Sequence, residues 1–203
     1  MTNIEKNNKE RSRKTIYFFM TLSLILLFLL YPALNHPKIQ NHNVSILLDR
    51  HIPLIPFFVV PYLSFYFLIF ITILDASTDF TSFKKVGAAF IVCLIISYTF
   101  FYFFQTVVYR PKIIDKDIFS ILLNLVYKID NPYNNLPSLH TSLSSICLFY
   151  WLFIRKHFKI IFSIWIFSII LSALLIKQHY ILDIIFGLIL GIASSLLFRN
   201  PSS

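Results

Sequence analysis

The chain has 203 residues, 57% of them hydrophobic and 23 of them phenylalanine, and only 13% are charged; a soluble domain carries about a quarter charged residues. The apolar residues fall in several runs of about twenty, the length that crosses a hydrocarbon core of roughly 30 Å. That excludes a soluble globular domain, and the absence of short alternating segments excludes a transmembrane β-barrel. The net charge of +9 comes mostly from lysines and arginines beside the apolar runs, where they set membrane orientation, so nucleic acid is excluded as a partner.

In chain order, the polar stretch 1–14 carries Lys6, Lys9, Arg11, Arg13 and Lys14. It is expected to be irregular or to lie at the membrane surface, leaving 15–203 as one membrane domain. The first apolar run, Thr15 to Leu34, follows at once. It is too long for a signal-peptide core and no small-x-small cleavage site follows, so it reads as an uncleaved first helix. "NVSILLDRHIP", 43–53, is a short surface segment. The second run spans about Ile52 to Leu74, with Pro53, Pro56 and Pro61 in its first turns, where proline costs least. The third spans about Val86 to Val108. A polar stretch from Tyr109 to Pro137 follows, containing the amphipathic "DIFSILLNLVYKI". The fourth, fifth and sixth runs are Ser138 to Ile154, Ile160 to Ile176 and Tyr180 to Phe198.

The expected fold is therefore all-α, a polytopic membrane protein with six transmembrane helices in one bundle. Cys93 and Cys147 both lie inside apolar runs and read as packing residues. Gly187 and Gly191 form a G-x-x-x-G, which allows close packing inside one bundle and, as the lesser reading, pairing into a homo-oligomer. With the N-terminus in the cytoplasm, the tail, Lys84, Lys85, Arg155, Lys156, Lys159 and Arg199 lie inside. That is eleven basic residues against seven outside. The positive-inside rule then puts both termini in the cytoplasm of a cell (plasma or inner) membrane.

Ionisable groups in such helices cost a few kcal/mol each, roughly, and mark functional sites. Three polar clusters face the outer side on this topology: "YRPK" at Tyr109 to Lys112, "NLPSLH" at Asn135 to His140, and "KQHYILD" at Lys177 to Asp183. His179 and Asp183 are spaced i, i+4 and share a helical face. The carboxylate can fix the imidazole tautomer and leave the other nitrogen free as base or nucleophile. Pro137, Ser138 and His140 fall in the first turn of the fourth helix, where unpaired N–H groups favour an anion. Ser138 adds a hydroxyl donor, and His140 can protonate a leaving group. Arg110 and Lys112 add cations suited to phosphate oxygens. No Cys/His metal spacing is present. The constellation suits phosphoryl transfer through a phosphohistidine with neither metal nor cofactor.

These clusters resemble the motifs of the type 2 phosphatidic acid phosphatase (PAP2) and haloperoxidase-like superfamily. "PSLH" resembles its Pro-Ser-Gly-His motif, and "SALLIKQHYILD", Ser172 to Asp183, resembles Ser-Arg, five residues, His, three residues, Asp. Arg110-Pro111 resembles the end of its first motif. The context "NPYNNLPSLH" and "KQHYILDIIFG" is nearest the inositol phosphorylceramide synthase-like branch. The resemblance implies His179 as nucleophile, Asp183 as its orienting partner, His140 as general acid, and Ser138 and Arg110 as phosphate ligands. Phe103 and Ala173 stand where the motifs have lysine and arginine, and Leu139 where they have glycine. Lys177 is expected to compensate, since on a continuous helix it would share a face with Ala173.

The leading expectation is a membrane lipid-phosphate phosphatase acting at the outer face on such substrates as phosphatidic acid, phosphatidylglycerol phosphate or polyprenyl pyrophosphate. A phosphotransferase passing the group to a lipid or polyol hydroxyl is the first alternative. A non-enzymatic lipid carrier or transporter is the second.

Overall fold

The structure is a computed structural model and describes residues 3–38, 40–155 and 158–197. Its regular elements there are helices, joined by two isolated β-bridges, His42 to Thr106 and Val107 to Tyr133. Lys156, Phe198 and Arg199, used in the topology reading, lie outside the described residues.

Helix α1 is Asn3–Leu34. It takes in most of the basic tail expected to be irregular or surface-lying. That stretch has no glycine or proline, is rich in helix-forming Lys, Glu and Arg, and gains a Glu10–Lys14 pair at 2.8 Å, one turn apart. At 32 residues, α1 is about 48 Å long, well beyond a hydrocarbon core. Helix α2 is Val59–Ala76, preceded by a 3₁₀ turn at Pro56–Phe58, so Pro53 and Pro56 stand before the helix and only Pro61 lies in its first turn. Helix α3 is Phe80–Phe103, capped by Asp79, whose carboxylate accepts from Ser82 N at 2.7 Å. The amphipathic stretch forms α4, Ile118–Ile129, with Asp117 as its cap. Helix α5 is Leu139–Phe149, continued by a wider turn to Ile154 that closes with Arg155 N donating to Tyr150 O at 3.1 Å. Helices α6 and α7 are Lys159–Leu175 and Ile181–Leu196.

Among the described residues three helices are long and apolar enough to cross a membrane: Ile4–Leu34, Pro56–Ala76 and Phe80–Phe103. The expected fourth, fifth and sixth spans form shorter apolar helices, Leu139–Ile154, Lys159–Leu175 and Ile181–Leu196.

Helix α5 is central. It packs on α7, α6, α3 and α2, while α1 rests on α3 and makes little contact with α2. The α5–α7 contact is the tightest. A Cβ on Gly191 would stand 2.3 Å from Ser142 O and 2.6 Å from Ser145 Cβ, and one on Gly187 would stand 2.8 Å from Ser138 O. The G-x-x-x-G thus faces α5, whose serines and Thr141 are small enough to admit it. Cys93 and Cys147 are free and buried in the main core with Phe90, Leu94 and Tyr150.

Candidate active site

The start of α5 is held by a polar network that explains the asparagines before it. Thr106 Oγ1 accepts from both Asn135 N and Leu136 N at 3.0 Å. Gln105 Nε2 donates to Asn134 Oδ1 at 2.8 Å and to His36 O at 2.9 Å. Asn134 takes a left-handed backbone, φ 60°, which asparagine tolerates better than most residues. The chain so fixed enters α5 through Ser138, the N-cap, whose Oγ accepts from Thr141 N at 3.3 Å. Ser138 N donates to Asp183 O at 3.0 Å, tying the first turns of α5 and α7 together.

That junction brings His140, His179 and Asp183 into one place. His179 and Asp183 are 8% and 0% exposed. His179 Nδ1 is 3.4 Å from Asp183 Oδ2, within ion-pair reach but off the axis of a hydrogen bond. Asp183 Oδ2 also accepts from Tyr180 N at 2.8 Å, which fixes the carboxylate. With Nδ1 on the Asp183 side, Nε2 is the ring nitrogen left for the cavity. The His140 ring lies 6.1 Å from that of His179, centroid to centroid, and stacks on Tyr62 at 4.2 Å and against Phe65 at 4.3 Å. Its Nε2 is buried and has no partner.

Both histidines line a cavity of about 540 Å³ between α1, α2 and α5, with Tyr98 of α3 at its back. One end is polar, formed by Asp130, Asn134, Asn135, His140 and His179. The rest is aromatic and aliphatic, reaching Ile73, which lies about 16 Å further along α2 than Tyr62. Leu139 and His140 both line it, and first-turn N–H groups have no intrahelical partner. The cavity is thus an apolar cleft with a polar head.

Arg110 stands one residue removed from the cavity. Its guanidinium donates to the carbonyls of Asp130 at 2.6 Å, Tyr127 at 3.3 Å and Asn131 at 3.3 Å, and to Gln178 Oε1. It lies over the Tyr127 ring at 4.8 Å. Its Nε is buried without a partner. Ser138 is fully buried and does not line the cavity, because its hydroxyl is taken up in capping α5. Lys112 is exposed on the segment before α4 and does not line the cavity either.

Lys177 is placed differently from the expectation. Helix α6 ends at Leu175, and Lys177 sits beyond it with φ 53°. Lys177 N donates to Leu174 O and Gln178 N to Ala173 O, each at 3.0 Å. This is a Schellman closure with lysine in the position glycine usually fills. Residues 173 and 177 therefore share no helical face. The ammonium donates to Asp49 O at 3.0 Å and to Ile52 O, away from the histidines. Ala173 itself is fully buried beside Tyr62, Val59 and Ile184.

Asp130 was not among the residues read as functional. It caps α4, lines the polar end of the cavity, and its Oδ1 accepts from Tyr31 OH at 3.0 Å and Asn35 Nδ2 at 2.8 Å. Burial raises its carboxyl above the ordinary carboxylate range, with Arg110 the strongest of the groups pulling it back. No motif surrounds it; the only signal was a lone carboxylate ending an amphipathic helix. Among the described residues no group of three or more His, Cys, Asp or Glu could hold a metal ion.

The helical bundle thus gathers two histidines and an aspartate at the polar head of an apolar cleft. Residues 38–197 match the family described as the PAP2 superfamily, so the chain belongs to that superfamily. Its apolar helices make it a membrane protein. Searches of curated proteins and of solved structures each return no match.

Proposed function

We propose that the protein is an integral membrane lipid-phosphate phosphatase with six membrane spans, working through a phosphohistidine on His179 without a metal. The observation that carries this reading is that His179, with Asp183 on one ring edge, and His140 together line the polar head of a cleft whose other walls are apolar. The apolar walls suit acyl or prenyl chains, and the phosphate would sit at the first turn of α5.

In the forward step the Nε2 lone pair of His179 forms the P–N bond as the P–O bond to the leaving group breaks. The departing oxygen keeps the electron pair and takes a proton from His140. Asp183 holds the Nδ1 proton and stabilises the positive ring. Water then gives its proton to His140 and attacks phosphorus, the P–N bond returns its electrons to His179, and phosphate leaves. Arg110 contributes from behind, through Asp130 and Gln178, as a fixed positive charge.

A second reading is transfer of the phospho-group to a lipid or polyol hydroxyl, as in the inositol phosphorylceramide synthase-like branch. It is favoured by a cavity of about 540 Å³, which leaves room beside the phosphate for an acceptor. Incubating the purified protein with ³²P-labelled lipid phosphates, with and without diacylglycerol or ceramide, tests both. The expected result is an acid-labile phosphoprotein that His179→Ala abolishes, with turnover down by at least 10³-fold, roughly. Free phosphate marks the phosphatase, and a new phospholipid marks the transferase. A His179→Ala protein with near-normal turnover would refute the nucleophile assignment. No phosphoprotein and no turnover would leave the lipid carrier.

A further inference from the structure

His179 lies outside α7. That helix begins at Ile181, and residues 176–180 form an irregular link from the end of α6. Asp183, in contrast, is fixed inside the first turn. The distance between the imidazole and its carboxylate is therefore set by the link and not by a continuous helix. The pair stands at 3.4 Å, already off the axis of a hydrogen bond, so it has little reach to spare. His179 N donates to Ala173 O at 3.1 Å, which holds the α6 side of the link.

The α7 side is held from far away in the chain. Asp49 belongs to the short segment read from the sequence as lying at the surface. Leu47, Leu48, Arg50 and His51 are exposed around it, yet Asp49 itself is only 6% exposed. Its Oδ1 accepts from Ile181 N at 2.8 Å, one of the first-turn donors that no carbonyl within α7 can reach. Its own carbonyl accepts from Lys177 Nζ at 3.0 Å. Asp49 so grips the chain two residues before His179 and two residues after it. Ile55 N donates to Leu175 O at 2.9 Å, a third tie between the same two segments. The grip is anchored, because Asp49 Oδ2 accepts from Ile46 N at 2.7 Å and Asp49 N donates to Ile46 O at 3.1 Å. The start of a helix favours a carboxylate. Tyr180, at the N-cap position, uses its hydroxyl elsewhere and accepts from Tyr109 N at 3.0 Å. Asp49 does not line the cleft, so it acts on the site only through the residues that it holds.

We propose that Asp49 is a positioning residue for His179: by joining Lys177 to Ile181 it sets the imidazole against Asp183 and beside His140. The consequence for turnover rests on the phosphohistidine reading of the site, whereas the placement of the ring does not.

Ring placement is measured first and needs no substrate. In the detergent-solubilised full chain labelled with ¹⁵N-histidine, the His179 ring signals are identified by their loss in His179→Gln. In the parent, Nδ1 should carry the ring proton, held on the Asp183 side. Asp49→Ala should turn this into a mixture of tautomers. Amide hydrogen exchange in peptides covering 176–184 should quicken by about tenfold, with peptides from the core of α3 unchanged. Turnover is measured second. Asp49→Ala should lower kcat by about 10- to 100-fold, the scale of a misplacement near 1 Å, with KM little changed. In an Asp183→Asn background the same substitution should cost less than about threefold, because the two residues act on one imidazole. Asp49→Asn keeps one acceptor oxygen and should fall between parent and alanine in every readout; it carries the test where the alanine variant does not fold. An unmoved His179 ring with unmoved exchange in 176–184 overturns the proposal, as does a loss of kcat of the same size with and without the Asp183 carboxylate. A His179 ring disturbed by Asp49→Ala in a chain whose parent gives neither phosphoprotein nor turnover upholds the role of Asp49 and refutes the phosphohistidine reading.

Discussion

Lys177 illustrates how a single backbone conformation redirects a charged side chain. In a helix its ammonium would have reached toward the histidines. The left-handed φ of 53° instead ends α6 and sends the side chain to the carbonyls of Asp49 and Ile52. Two effects can be separated by substitution. Glycine removes the cost of the left-handed conformation, about 1–2 kcal/mol for a residue with a Cβ, but loses the ammonium's hydrogen bonds. Alanine loses the same bonds and keeps the cost. Lys177→Ala should therefore melt lower than Lys177→Gly, by about 1 kcal/mol, in thermal unfolding of detergent-solubilised protein. Equal melting would mean that the Schellman closure does not depend on this residue's conformation. The spacing of His179 and Asp183 was legible because i, i+4 is a local rule. The φ of Lys177 was not, since no glycine marks it and the segment 49–52 that anchors it is remote in sequence. Asp130 was missed for a related reason. Its meaning comes from Tyr31, Asn35 and Arg110, none of which is near it in the chain.

At the level of elements, the α5–α7 contact sets the geometry of the candidate site. His140 rides on the first turn of α5, while His179 and Asp183 flank the start of α7. Their separation is thus the separation of the two helices. Gly191→Ala would force a methyl to 2.3 Å from a backbone oxygen, so the helices must part. The expected cost is about 1–3 kcal/mol of stability, the range for overpacking. Turnover should fall with it even under conditions where the protein stays folded, because the two histidines move apart. Unchanged activity and melting would show that α7 can shift without disturbing the site. The apolar runs that became α6 and α7 were legible from hydropathy alone to within two residues, whereas α2 starts seven residues later than its run and α3 lies five to six residues earlier than its run. The helical state of the basic tail was not legible. Its charges suggested an irregular or surface-lying segment, but being exposed does not prevent a run of good helix formers from extending a helix already nucleated by its apolar neighbour.

For the whole molecule, the ends of α3 and α6 and the starts of α5 and α7 meet on one side, joined by Arg110 to Gln178, by Tyr109 N to Tyr180 OH at 3.0 Å, and by Ser138 N to Asp183 O. The opposite side holds Asp75, Arg155 and Thr78, with Arg155 Nε donating to Asp75 Oδ2 at 2.5 Å. The topology read from the basic residues puts the first group outside and the second inside. A cysteine at Lys128 should then react with an impermeant thiol reagent in intact cells, and one at Lys84 only after permeabilisation, on a background lacking Cys93 and Cys147. Reaction of both in intact cells would reverse or dissolve the proposed arrangement. Sidedness rests on a bias in charge counts alone. The gathering of the three polar clusters followed from span parity, and the network of Gln105, Thr106 and the asparagines that locks them together had no sequence signature.

The order of synthesis gives the junction between α5 and α7 a further meaning. The groups around the polar head of the cleft come from positions 31, 110, 130, 140, 179 and 183, scattered from the first helix to the last described one. A nascent chain that has released α1 to α6 into the bilayer has an open groove where α7 belongs, rimmed by Ser138, Thr141, Ser142 and Ser145. It has no His179–Asp183 pair. The same event, docking of α7 into that groove, completes the packing and brings His179 beside His140. On the proposed reading, an unfinished or misassembled chain is chemically silent toward the lipids around it, and competence arrives in one step with the closing of the bundle.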